Sequence, residues 1–173
     1  MQTRCALIGM PGCGKSTVGR HLARRLGLPF VDMDQRLEEQ LGCSISQYFE
    51  QCGEAAFRER EAAALSELAA QTGPLVLSTG GGAVLRPGNR DALRRGFAPV
   101  IYLRTSPEEL FRRLRHDTVR PLLQVSDPLA RLRDLYQSRD PLYRETAHYV
   151  IETGRPTVNR LVNLIVMQLE CQQ

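Results

Sequence analysis

Residues Gly9-Met10-Pro11-Gly12-Cys13-Gly14-Lys15-Ser16 satisfy every fixed position of the pattern GxxxxGK[ST]. The chemistry of that pattern is the binding of a polyphosphate. Glycines at 9, 12 and 14 let the backbone turn tightly and point successive N–H groups inward, where an anion replaces the water those donors would otherwise need. Lys15 adds a point charge for the outer phosphates. Ser16 offers its hydroxyl to a magnesium ion, and a helix starting there turns the positive end of its dipole toward the same phosphates. The chain has 23 basic residues, and Lys15 is the single lysine among them. Arginine everywhere else marks this position as one that requires a compact ammonium on a flexible stem.

A second group of chemically capable residues is carboxylate. Asp32 and Asp34 stand two apart where a short strand, Phe30-Val31, gives way to a helix. In an α/β sheet that is the carboxyl edge, next to the phosphate loop, where ligands bind. A capping role for Asp34 would account for one of the pair but not both. Three consecutive glycines, Gly80-Gly81-Gly82, follow the strand Leu75-Val76-Leu77-Ser78 at its carboxyl end, where they fit either close approach of a ligand or a flexible turn. Ser78 is positioned to hold a water on the metal. This strand lacks the aspartate that many phosphate-loop proteins carry at its end, which directs attention to Asp32 as the acidic partner of magnesium. Cys13, beside Lys15 and a helix start, is either a reactive thiol or a small side chain tolerated in the loop.

The elements that must position these residues follow from periodicity. Cys5 to Ile8 reads as a strand, and Val18, Leu22 and Leu26 mark a helix stripe that Gly27 and Pro29 close. Leu37 and Leu41 form a short stripe stopped by Gly42. Ser44 with Gln47 forms a capping box, and Gly53 interrupts the helix it starts. From Glu54 to Gln71 the apolar side is Phe57, Leu65 and Leu68, while Arg58, Glu59, Arg60 and Glu61 read as a solvated charged face. Val100 to Leu103 is a strand, and Ser106-Pro107-Glu108-Glu109 opens a helix carrying Arg112, Arg113 and Arg115. His116 to Ser126, with Arg120-Pro121-Leu122-Leu123, reads as a surface loop suited to close over a transferring phosphate. A helix through Leu132, Leu135 and Tyr136 brings Arg139 and Tyr143. Tyr149 to Ile151 is the last strand, and Thr157 to Gln168 the last helix. Five strands alternating with helices imply an α/β protein, a parallel sheet flanked by helices on both faces.

At 173 residues, with 42% apolar and 24% charged residues, the chain fits one compact soluble domain spanning 1–173. The net charge of +4 comes from dispersed arginines, which favours an anionic small molecule over nucleic acid. No apolar stretch reaches membrane-spanning length, and the first strand begins too near Met1 to leave room for a signal peptide, so a cytoplasmic protein with no membrane partner is expected. Five cysteines without a CxxC pair argue against a disulfide framework or a zinc site.

Taken together, these features resemble the shikimate kinase family from about residue 5 to residue 165. The resemblance is carried by residues 9 to 17, Asp32-x-Asp34, Phe57-Arg58-x-x-Glu61, the triple glycine, Arg120-Pro121-Leu122-Leu123 and Arg139-x-x-x-Tyr143. It implies a P-loop fold of the nucleoside monophosphate kinase-like class, with a substrate-binding helical segment near 33–61 and a lid near 112–124. It further implies ATP at Gly12, Cys13, Gly14, Lys15, Ser16 and Thr17, with Arg113, Arg155 and Pro156 near adenine. Shikimate falls to Asp34, Arg58, Gly80, Gly81, Gly82 and Arg139. Arg120 is implied as the lid arginine shared between substrate and phosphate, and Ser16 and Asp32 as the residues serving Mg²⁺. The implied reaction is transfer of the γ-phosphoryl group of ATP to the 3-hydroxyl of shikimate, with Lys15, Asp34 and Arg120 as the catalytic residues. A monomer is expected. The competing readings are a gluconate or nucleoside monophosphate kinase on the same fold, and a nucleotide-binding switch without an acceptor.

Overall fold

The computed structural model describes residues 3–115, 125–154 and 156–172. Five strands form one sheet in the order β2-β3-β1-β4-β5, every neighbouring pair parallel. β1 (Arg4–Ile8), β3 (Leu75–Ser78) and β4 (Val100–Arg104) are central and almost wholly buried. Such strands read as continuous apolar runs because both faces are covered. The edge strand β5 (Tyr149–Glu152) instead alternates half-buried and exposed residues. β2 (Phe30–Asp32) forms the other edge.

α1 (Lys15–Leu26) ends at Gly27, which adopts φ 66°, with the Leu28 N–H closing on the Ala23 carbonyl at 2.8 Å. It packs against α7 (Val158–Glu170), whose N-cap is Thr157. α2 (Met33–Leu41) stops at Gly42. α3 (Ile45–Ala70) begins with the expected reciprocal capping box between Ser44 and Gln47, and it is broken at Gly53, where φ 85° and ψ 167° depart from helix. A 3-10 turn (Ala83–Leu85) and α4 (Pro87–Gly96) follow the triple glycine. α4 is not among the elements expected from the pattern, because Pro87-Gly88-Asn89 reads as a turn and Leu93 is its only buried large apolar side chain. α5 (Pro107–Leu114) is capped by Ser106, and α6 (Pro128–Thr146) runs through Pro141 without ending. α4 packs against both α3 and α6.

Arg4 joins three of these segments. Its guanidinium donates to the carbonyls of Gly96 at 3.0 Å, Gly73 at 2.8 Å and Leu68 at 2.7 Å, and lies over the Phe97 ring. The first residue of β1 thereby holds the ends of α3 and α4. Among the described residues no helix is long and apolar enough to cross a membrane.

Candidate active site

The carboxyl ends of β1, β2 and β3 meet at one cleft of about 350 Å³, lined from the phosphate loop by Pro11, Gly12, Gly14, Lys15, Ser16 and Thr17. Asp34, Thr79, Gly81, Arg113 and Leu114 complete it. Gly12 and Gly14 have φ of 82° and 96°, a conformation that side-chain-bearing residues rarely adopt. No side chain caps the start of α1, so its first N–H groups face the loop as anion donors. Lys15 is buried, and its Nζ donates to the carbonyls of Gly9 at 2.8 Å and Met10 at 2.9 Å. Its Nζ also lies 3.7 Å from Cys13 Sγ, and the thiol is buried.

Asp32 does two jobs. One carboxylate oxygen accepts the Ser16 hydroxyl at 2.6 Å, and the other accepts the N–H of Asp34 at 3.1 Å as the N-cap of α2. The cap is therefore Asp32 and not Asp34, because the helix begins at Met33 and puts Asp34 in its first turn. Ser78 Oγ lies 3.5 Å from Ser16 Oγ. These hydroxyl and carboxylate oxygens are hard donors of the kind magnesium selects. Among the described residues no cluster of three His, Cys, Asp or Glu side chains offers a competing metal site.

The glycines at 80 to 82 are explained by their neighbours. A Cβ on Gly80 would lie 2.8 Å from Asp34 Oδ1 and 3.1 Å from Glu61 Oε2, and one on Gly81 would lie 2.7 Å from the Pro11 ring. On Gly82 it would collide with the Arg58 guanidinium. None of the three has positive φ, so the run is required by close packing of side chains around it.

The reading of residues 58–61 as a solvated face needs correction. Arg58 and Glu61, three residues apart, point inward and pair at 2.8 Å, with the Glu61 side chain only 1% exposed. Glu59 stays outside and pairs with Arg86 at 2.7 Å. Burial pushes the Glu61 carboxyl above the ordinary glutamate range, the Arg58 charge opposes this, and Asp34 adds to it. Among the described residues Arg58 Nε and Glu61 Oε2 are buried without a hydrogen-bond partner, the pattern expected of groups facing a polar ligand. Glu61 has no role assigned from its residue type, although it lies four residues after Phe57 and four before Leu65, a spacing that puts it on the buried side of α3 while Glu59 falls off it. Arg139 on α6 is half-buried and near enough for its charge to act on Glu61. Tyr143, one turn later, is fully buried and donates to the Gly81 carbonyl at 2.5 Å.

Arg113 is brought to the far side of the loop. It donates to the Cys13 carbonyl at 3.3 Å and to the Thr153 carbonyl at 2.8 Å, which ties the end of α5 to the phosphate loop and to the segment after β5. Pro156 is half-buried just ahead of α7. Arg120, Arg155 and the lid residues 116–124 lie outside the described residues.

A phosphate loop between β1 and α1 of this parallel sheet, facing a pocket of paired arginine and carboxylate side chains, defines a small-molecule kinase of the nucleoside monophosphate kinase-like class. A sequence model described as shikimate kinase matches residues 11–170. The shikimate kinase of Paracidovorax citrulli is 60% identical over 95% of this chain and 90% of its own length, and that of Ralstonia nicotianae is 56% identical over 94% and 85%. A solved shikimate kinase from Acinetobacter baumannii, in complex with shikimate, superposes with a TM-score of 0.94 at 43% identity, covering 100% of this chain and 96% of that one. The chain belongs to the shikimate kinase family.

Proposed function

We propose that this chain transfers the γ-phosphoryl group of ATP to the 3-hydroxyl of shikimate, releasing shikimate 3-phosphate and ADP. The observation that carries this reading is the convergence of Asp34, Glu61 and Arg58 on Gly80 and Gly82, across the cleft from Lys15 and Ser16. Shikimate is a carboxylate with three hydroxyl groups, and needs a cation at one end and acceptors at the other.

Arg58 and Arg139 hold the carboxylate, where a planar fork suits bidentate pairing. Asp34 orients the 3-hydroxyl and accepts its proton. Backbone groups of Gly80 to Gly82 complete the wall. The nucleotide phosphates lie along Gly12 to Thr17, with adenine toward Arg113, Arg155 and Pro156. Lys15 and Arg120 neutralise charge on the transferring group, and positioning accounts for most of the remaining barrier reduction. Ser16 and Asp32 would hold Mg²⁺. A magnesium ion bound there would supply positive charge beside the transferring phosphoryl group. Residues 33–61 serve as the acid-binding segment of a single monomeric domain, and 112–124 as its lid.

A coupled assay for ADP release, run with shikimate, gluconate and nucleoside monophosphates, tests this. Turnover with shikimate alone, lost in Asp34→Asn, is expected. Turnover with gluconate alone would overturn the reading, and nucleotide binding with no acceptor turnover would point to a switch.

A further inference from the structure

We infer that Tyr143 is a positioning residue for the acid pocket: its hydroxyl ties the helix face that carries Arg139 to the triple-glycine turn, so that both walls of the pocket keep one register. This rests on the proposed role of Arg139 and the glycine turn in binding shikimate.

Three observations support it. The first is the hydrogen bond from the Tyr143 hydroxyl to the Gly81 carbonyl at 2.5 Å, between residues 62 apart in sequence. Because a peptide is planar, fixing the Gly81 carbonyl also fixes the direction of the Gly82 N–H on the opposite side of the same plane. Gly82 is the residue that abuts the Arg58 guanidinium. One phenol therefore sets the wall against which Arg58 rests.

The second concerns α6 itself. Pro141 lies between Arg139 and Tyr143 and has no N–H, so the helix lacks one ladder bond in the turn that presents Arg139. Side chains on both sides of this proline make up the tie. Asp140 accepts the Tyr102 hydroxyl of β4 at 2.7 Å, and Tyr143 reaches Gly81. The helix is located by these bonds to its neighbours where its own ladder is interrupted.

The third is placement. Arg139 and Tyr143 are one turn apart and so share a helix face. Tyr143 is fully buried and packs on Tyr102, with ring centroids 4.8 Å apart. Burial raises the Tyr143 phenol well above its ordinary range, against the charge and hydrogen bonding of Arg139, so the group works as a neutral donor at every pH of interest.

Tyr143→Phe removes the hydroxyl and keeps the ring against Tyr102. The expected result is a shikimate KM raised about 5- to 20-fold, the loss of one well-placed buried hydrogen bond, with ATP KM within about twofold of wild type. In an Arg139→Lys background the same substitution should add little, because the two residues act as one unit. Thermal shift supplies a second measurement that holds even if the variant is less stable. Saturating shikimate should raise its melting temperature less than it raises that of wild type, while the shift given by ATP stays the same. An unchanged shikimate KM and shift, an equal rise in both KM values, or full multiplication of the two effects in the double variant would each overturn the inference. Absence of shikimate turnover in wild type would instead reject the function on which it rests.

Discussion

The guanidinium of Arg58 occupies the space that a side chain on Gly82 would fill. The two residues come from different elements, a long helix and the turn after β3, and glycine gives the arginine room: any side chain at 82 would have to push the guanidinium aside.

That relationship predicts the effect of one methyl group. Gly82→Ala should displace Arg58 and raise the shikimate KM at least about tenfold, since a bidentate charged contact is worth roughly 1.5–3 kcal/mol, while ATP KM stays near wild type. Gly88→Ala is the control. A Cβ there meets nothing within 4 Å, and in α4 it should stabilise by about 0.5–1 kcal/mol without altering either KM. Steady-state kinetics and thermal melts of the two variants check this.

Asp32 combines a helix cap with a contact to Ser16, and two substitutions separate them. Asp32→Asn keeps a capping oxygen and loses the charge, so the Mg²⁺ concentration for half-maximal activity should rise several-fold with little change in melting temperature. Asp32→Ala should show the same metal effect and also lose about 1 kcal/mol of stability. Magnesium titrations of activity beside urea unfolding distinguish them.

Arg4→Met should reduce stability by about 2 kcal/mol or more, because three carbonyls lose a charged donor while the apolar stem stays in place. Kinetic constants measured well below the melting temperature should not move, since the three carbonyls lie at Gly96, Gly73 and Leu68, outside the cleft.

His148 gives the fold a pH dependence. Its Nδ1 accepts the Val100 N–H at 2.8 Å, and burial first and the Arg94 charge second hold its pKa below 6.5. In the unfolded chain the imidazole takes up a proton more readily. Its contribution is therefore intact above the unfolded pKa and is lost as pH falls toward the folded one. His148→Asn keeps an acceptor that does not titrate. Denaturant midpoints at pH 7.5 and pH 5 should fall more for wild type than for the variant; equal changes would contradict the assignment.

The phosphate loop, the capped helix starts and the parallel order were legible because each rests on local chemistry: glycines at fixed spacing, a Ser-Gln box, apolar runs. Asp32 and Asp34 were legible as a pair, but not the division of labour between them, since the cap depends on whether the helix begins at residue 33 or later. Arg58 was legible only through the family resemblance, and Glu61 only as a member of the same motif, with no role of its own. Glu61 falls on the helical stripe of Phe57 and Leu65, so its spacing marks it as inward; Arg58 lies one residue off Phe57, and its inward placement is set by the triple-glycine turn packed against it, a long-range relation. α4 escaped because its sequence is rich in turn formers and its few apolar contacts are made with α3 rather than along its own stripe.

Lys15, drawn back onto the carbonyls of Gly9 and Met10, is also the chain's one lysine. Apart from the α-amino group, amine-directed reagents thus have a single target in the molecule, and it lies in the phosphate loop that lines the cleft. The arginine-rich surface is inert to such reagents, so acylation at Lys15, resolved from the α-amino group by peptide mapping, reads out whether the phosphate loop is occupied, with no label introduced by mutation.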